Sequence, residues 1–323
     1  MREILYAEAL VEGLRELLEA DERVHLIGQY FLGLTSHREL MADVRDSFPG
    51  RVYYPPIAEL GYVGTAIGAA IAGLRPIVDI ATASFIFQAF PQIVNEAANI
   101  HYMTGGQTKG PMIFHFNHGI RGGGAAQHSH SPQAMLWNTP GLEIMAPSSP
   151  YDVKGLLKTA AESDNPTAFV DHTRLFDVIG PVPEDDYMIP FGQADIKRDG
   201  KDITLLASSF MVQRALSAAE ILAEQGIDAE VVDPRTLVPL DEDTILESVA
   251  KTHYLVIVDE CHRRCGVGAE FAALVVEKAF SDLRAPIVRV STEDVPVPFS
   301  QTLERYIEPT EDKVVQAVLR VLS

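Results

Sequence analysis

The chain has 323 residues, 47% of them hydrophobic, and 45 acidic against 26 basic side chains give a formal net charge of −19. That length outgrows a single hydrophobic core and calls for two domains, and acidity spread without long single-sign blocks argues against binding nucleic acid or a membrane surface. The longest small-apolar stretch, about Ile67 to Leu74, falls short of the ~20 residues a membrane span needs; with no signal peptide after Met1-Arg2-Glu3, a cytoplasmic location is expected.

Apolar residues at Ile4-Leu5, Leu10-Val11, Leu14 and Leu17-Leu18 recur at helical spacing, so the chain is expected to open on a helix and pass into a buried strand, Val24 to Gly28. A glycine- and alanine-rich helix follows over Leu60 to Ala72, then strand Pro76 to Ala81, helix Phe85 to Tyr102 and strand Met112 to Phe116. Strand Leu142 to Ala146, helix Tyr151 to Ala161 and strand Thr167 to Asp171 continue the alternation. Such alternation predicts a parallel sheet covered by helices on both faces.

Three prolines and an acidic run between about Asp177 and Gln193 break every regular period. The expected division is a first domain over 1–180, a linker over 181–195 and a second domain over 196–323. In the latter, strands Asp202–Ala207, Ala229–Val232, Tyr254–Asp259 and Pro286–Val290 alternate with helices Val212–Gln225, Asp241–Ala250 and Ala269–Phe280. The fold class read from this is α/β, with two doubly wound domains. Cys261 and Cys265, the only cysteines, have no second pair to complete a metal site and read as reduced thiols.

Glu59 stands in Pro56-Ile57-Ala58-Glu59-Leu60-Gly61-Tyr62-Val63-Gly64, where an apolar strand end turns into a glycine-rich helix. Alone it reads as an acid favoured by the helix dipole. Downstream lie Gly122-Gly123-Gly124-Ala125-Ala126-Gln127-His128-Ser129-His130, Pro140-Gly141-Leu142, Ala146-Pro147-Ser148, Asp233-Pro234-Arg235-Thr236, Val258-Asp259-Glu260 and Asp294-Val295-Pro296-Val297-Pro298-Phe299. In that order the set resembles the β subunits of pyruvate, branched-chain 2-oxo-acid and acetoin dehydrogenases, members of the transketolase superfamily. The resemblance runs from about Arg2 to the C-terminus and identifies the two domains as a transketolase-like pyrimidine-binding domain and a transketolase C-terminal domain.

The resemblance implies thiamine diphosphate as cofactor. It assigns Glu59 to the pyrimidine ring nitrogen, and a carboxyl taken out of water at an apolar turn suits that proton-sharing work. Leu60 flanks it, and Phe85 and Gln88 match positions that line the pyrimidine pocket, although plain helix core and a solvated amide account for the latter two equally well. His128, after a glycine-rich stretch read as a flexible loop, matches the histidine that orients the acyl intermediate or meets the incoming lipoyl group; His130 stands where many relatives have glutamine and reads as a loop residue. Met112, Ala160, Ala161, Ser163 and Asn165 fall where some members bind structural potassium through main-chain oxygens, and a helix C-terminal turn explains that segment as well. His115 and His118 end a strand; His115, Asn117, Arg121 and Arg174 are candidates to face a substrate anion.

A complete thiamine enzyme carries a Gly-Asp-Gly stretch whose oxygens hold magnesium on the diphosphate, and this chain has none. Nor has it a P-loop or a dinucleotide fingerprint. The diphosphate and its magnesium are therefore expected on an α subunit in an α2β2 assembly with a β–β contact, docking onto a lipoyl acyltransferase core. Gln29 replaces the usual family glutamate after Gly28, and Tyr54-Pro55 replaces the common Asp-Thr before proline. These departures leave the substrate open among 2-oxo acids, acetoin and a ketol sugar. They also keep alive a two-chain transketolase or carboligase that uses an aldehyde acceptor without a lipoyl partner, and a non-catalytic scaffold subunit.

Overall fold

The computed structural model describes residues 1–28, 31, 32 and 35–323, so Gln29 lies outside the described residues. The chain forms two compact units, the first made of Met1–His118 and Met135–Phe191, the second of Gly119–Ala134 and Gly192–Ser323.

As far as residue 182 the elements in chain order are β1 (Arg2–Leu5), α1 (Tyr6–Ala20), β2 (Val24–Gly28), α2 (Leu40–Ser47), β3 (Val52–Tyr53), α3 (Glu59–Ile71), β4 (Arg75–Thr82), α4 (Ile86–Pro91), α5 (Ile100–Met103), β5 (Ile113–His118), α6 (Gln133–Trp137), β6 (Glu143–Met145), α7 (Pro150–Glu162), β7 (Thr167–His172) and β8 (Ile179–Val182). In the first unit the strands run β6–β7–β5–β4–β2–β3, every pair parallel. β4, β5 and β7 are buried almost throughout, as strands covered on both faces must be.

α1 buries the stripe Tyr6, Leu10, Leu14, Leu17 and Leu18, and its first turn is closed by Glu8, whose carboxylate accepts from the Leu5 amide at 2.9 Å. It packs on α7, which starts with Pro150 behind the Ser149 cap. The buried Lys154 of α7 donates to Glu12 and, at 2.7 Å, to Glu16 of α1.

Two elements differ from the sequence expectation. The apolar pair Ile4-Leu5 does not belong to the opening helix: it forms β1, antiparallel to β8. The expected single helix from Phe85 to Tyr102 is broken. A 3₁₀ turn over Ala83–Phe85 leads into α4, which ends at Pro91; a π-helical turn over Gln92–Ala97 precedes α5. Such π turns are rare in general and gather at functional sites.

The second unit continues with β9 (Asp195–Arg198), β10 (Ile203–Ala207), α8 (Phe210–Glu224), β11 (Ala229–Asp233), β12 (Thr236–Val238), α9 (Glu242–Thr252), β13 (Leu255–His262), α10 (Val267–Ala279), β14 (Val288–Thr292), α11 (Gln301–Ile307) and α12 (Glu311–Leu322). Its sheet has the order β14–β13–β10–β11–β9, parallel except for the antiparallel edge strand β9. Val314, Val315, Val318 and Val321 of α12 share a core with Met211, Ala215 and Leu222 of α8. No helix among the described residues is long and apolar enough to cross a membrane.

Candidate active site

Glu59 is the first residue of α3 and only 7% exposed. Its carboxyl therefore lies out of water at the positive end of a helix. Tyr62 follows three residues on, on the same side of the helix, and its buried hydroxyl has no hydrogen-bond partner among the described residues. Burial first, then the Glu59 and Asp79 carboxylates, push the Tyr62 phenol far above its ordinary pKa. It stays protonated and remains a donor without an acceptor.

Leu60, next to Glu59, is 56% exposed. Phe85 closes the 3₁₀ turn and is half-buried, while Gln88 on α4 is exposed. α3 packs against both α4 and the π turn. There Gln92 lies against Gly64, and its buried Oε1 has no partner among the described residues. The first unit thus gathers a buried carboxyl, a protonated phenol and an orphaned amide oxygen on α3 and the π turn against it.

The centre of this unit's sheet holds a charged cluster. Asp79 on β4, His115 on β5 and Asp171 on β7 are all buried, with His115 Nδ1 at 2.9 Å from Asp79 and Nε2 at 2.8 Å from Asp171. Both ring nitrogens face acceptors, so both must carry protons and the ring is an imidazolium. Burial alone pushes its pKa down, but the hydrogen bonds to Asp171 and Asp79 outweigh it and lift the value to about 9. Tyr6 donates to the second oxygen of Asp171, and the Phe31 amide donates to Asp79 at 2.8 Å. The Phe31 ring stacks on the imidazole, with centroids 5.3 Å apart. His115 therefore does not face a substrate anion; its partners are two carboxylates of its own sheet. Asn117 lies two residues on in β5, and its buried Oδ1 has no partner among the described residues.

His128 belongs to the second unit, half-buried in a 3₁₀ turn over Ala126–His128. The glycine-rich stretch before it is pinned at several points. The Ile120 amide donates to Glu260 at 2.9 Å, the Gly123 amide donates to Glu304 at 2.9 Å, and the Gly119 amide donates to the His130 carbonyl at 3.0 Å. Glu260 and Glu304 are both buried. Glu304 had no sequence signal beyond an acid in an amphipathic helix, and Glu260 stood in a recognised motif without a role.

The carbonyls of Ala161 and Ser163 both accept from Arg75 Nη1 at 2.8 Å. The Met112 carbonyl accepts from the Thr167 amide at 2.9 Å, the Ala160 carbonyl from the Ser163 amide at 3.2 Å, and the Asn165 side chain donates to Glu143 at 3.0 Å.

Two doubly wound units, the first with a buried glutamate heading a glycine-rich helix, define a transketolase-type chain. Family models agree: the transketolase pyrimidine binding domain matches residues 2–177 and the transketolase C-terminal domain residues 192–314. Among relatives, the chain is 42% identical to the acetoin:2,6-dichlorophenolindophenol oxidoreductase subunit beta of Bacillus subtilis, over 100% of this chain and 98% of that protein. It is 44% identical to the pyruvate dehydrogenase E1 component subunit beta of Rickettsia felis, over 99% and 98%. A solved structure described as a split gene transketolase, inactive beta4 tetramer, matches with a TM-score of 0.81 at 26% identity over 99% and 98%. The chain belongs to the transketolase-like β subunits of the pyruvate and acetoin dehydrogenase type.

Proposed function

We propose that this chain is the β subunit of a thiamine-diphosphate-dependent α2β2 enzyme that decarboxylates a 2-oxo acid, or cleaves a ketol such as acetoin, and passes the acyl group to lipoamide. The observation that carries this reading is the buried Glu59 at the head of α3, inside the domain matched as pyrimidine-binding. The residues present fit the cofactor's heteroaromatic half: the helix that Glu59 heads carries a phenol kept protonated, and the π turn packed on that helix carries an amide oxygen, both without protein partners among the described residues.

Thiamine diphosphate would supply, when bound, an acidic carbon as nucleophile and an electron sink for carbon–carbon bond cleavage. Glu59 would hold the pyrimidine ring nitrogen and exchange a proton with it. Phe85 offers a ring face, Leu60 and Gln88 border the pocket, and His128 orients the acyl group or moves a proton during transfer to the lipoyl sulfur. The diphosphate and magnesium fall to the α subunit, because this chain has no Gly-Asp-Gly stretch. A second β chain and a lipoyl acyltransferase core complete the assembly. A potassium ion at Met112, Ala160, Ala161, Ser163 and Asn165 would share the Ala161 and Ser163 carbonyls with Arg75, which already brings a positive charge there.

The second reading, a two-chain transketolase or carboligase with an aldehyde acceptor, draws on the likeness to the split-gene transketolase structure. Co-purification with the α subunit decides between them, using thiamine-diphosphate-dependent reduction of an artificial electron acceptor by pyruvate, branched 2-oxo acids and acetoin. Turnover that needs both chains supports the dehydrogenase. Transfer to an aldehyde without acceptor reduction moves the assignment to the carboligase, and a complex that binds no cofactor removes both.

A further inference from the structure

The glycine-rich stretch ahead of His128 is a closed loop that belongs to the second unit. Its base is the Gly119 amide donating to the His130 carbonyl at 3.0 Å, and its Ile120 side chain packs with Val297 and Ile307 in a small core of its own. Two buried carboxylates reach its main chain: Glu260 of β13 takes the Ile120 amide and Glu304 of α11 takes the Gly123 amide. We infer that Glu304 is a positioning residue for acyl transfer, holding His128 in place by fixing this loop at Gly123; the assignment rests on the role proposed above for His128.

Glu304 is 1% exposed, and both of its carboxylate oxygens lie 2.9 Å from the Gly123 nitrogen. Burying a carboxylate is costly, and an amide or a hydroxyl could accept one main-chain hydrogen bond without that cost. What the charge adds is strength, because a hydrogen bond to an ionised acceptor is about twice as strong as a neutral one.

Strength is needed because the loop is strained. Gly122 and Gly123, at φ of 84° and 90°, take a conformation open to glycine. Ala125 then sits at φ 53° and ψ −167°, close to a region that glycine alone adopts readily. Such a residue persists only where its surroundings over-determine it, and the bond from Gly123 to Glu304 is made two residues before it.

The path from that bond to His128 is short. A Cβ on Gly124 would come within 3.1 Å of the His128 carbonyl oxygen and 2.7 Å of the Ser129 hydroxyl oxygen, so Gly124 lies flat against the turn that carries His128. The His128 amide donates in turn to the Ala125 carbonyl at 3.4 Å. Once Gly123 leaves Glu304, Ala125 can relax, and Gly124 and the His128 turn move with it.

The test uses the purified α/β complex with Glu304→Ala, His128→Asn, the double variant, and Glu304→Gln, which keeps one acceptor oxygen in nearly the same shape. Hydrogen exchange over residues 119–130, followed by mass spectrometry, reads the hold on the loop without any turnover, and acyl transfer to lipoamide reads its consequence. Glu304→Ala should lose protection in the loop and transfer about tenfold more slowly, the population shift that loss of one charge-assisted hydrogen bond allows, with Glu304→Gln in between. Added to His128→Asn, the same change should slow transfer by less than about twofold, because a residue that acts through His128 has nothing left to act on. If the alanine variant does not assemble, Glu304→Gln carries the same comparison. Parental exchange in the loop, or full multiplicative slowing in the double variant, overturns the inference. Lost protection together with parental transfer by His128→Asn removes the role of His128 itself, and the positioning role with it.

Discussion

His115 shows how far one residue's meaning depends on neighbours distant in sequence. Asp79 and Asp171 lie 36 and 56 positions away, so nothing local separates a substrate-facing histidine from one locked between two carboxylates. Its pKa is raised to about 9 in the fold, above the ordinary 6.5. The stability it contributes is therefore fully present below about pH 6.5 and is lost as pH rises through about 9. Thermal unfolding followed from pH 7 to 10 should show that loss, and the His115→Gln variant should not. The same substitution leaves two buried carboxylates without a counter-charge and is expected to cost about 3–5 kcal/mol at neutral pH; a variant as stable as the parent would contradict the cluster. Glu59 stood out in the sequence because its motif is local, whereas the Tyr62 hydroxyl is notable for a missing partner, which no sequence pattern records.

At the scale of elements, the parallel strands were readable because burial on both faces makes each largely a short apolar run, as in Leu255–Val258. β1 was hidden because Ile4 and Leu5 fit the helical period of α1, while their partners Gly180 and Ile179 sit in a stretch punctuated by prolines. The broken helix after Phe85 was masked by apolar residues recurring through the segment, although Pro91 marks the end of α4. Gly28 ends β2 opposite Asp79 with φ of 144°, and a Cβ there would collide with the Asp79 carbonyl. Gly28→Ala must push β2 off β4 beside the charged cluster and should cost about 1–3 kcal/mol or more. Denaturant unfolding checks this, and an unchanged midpoint would show that the strands can part freely.

For the whole molecule, two folded units without a diphosphate motif make sense as part of a larger assembly. Ile57 and Leu60, beside Glu59, are exposed at 79% and 56%, an apolar surface that a partner chain would cover. The chain alone is expected to show no thiamine-dependent turnover, and mixing with the α subunit should restore it together with a mass consistent with α2β2 by light scattering. Substantial activity of the isolated chain would contradict the division of the cofactor between two polypeptides.

The most direct test of the central claim compares Glu59→Gln with the parent in the purified α/β complex, measuring turnover and thiamine diphosphate affinity side by side. A carboxyl that shares a proton with the pyrimidine predicts turnover lowered about 100-fold or more, within the range for general acid–base groups, in a complex that still assembles. Parental turnover in the glutamine variant would contradict it and remove Glu59 from the chemistry.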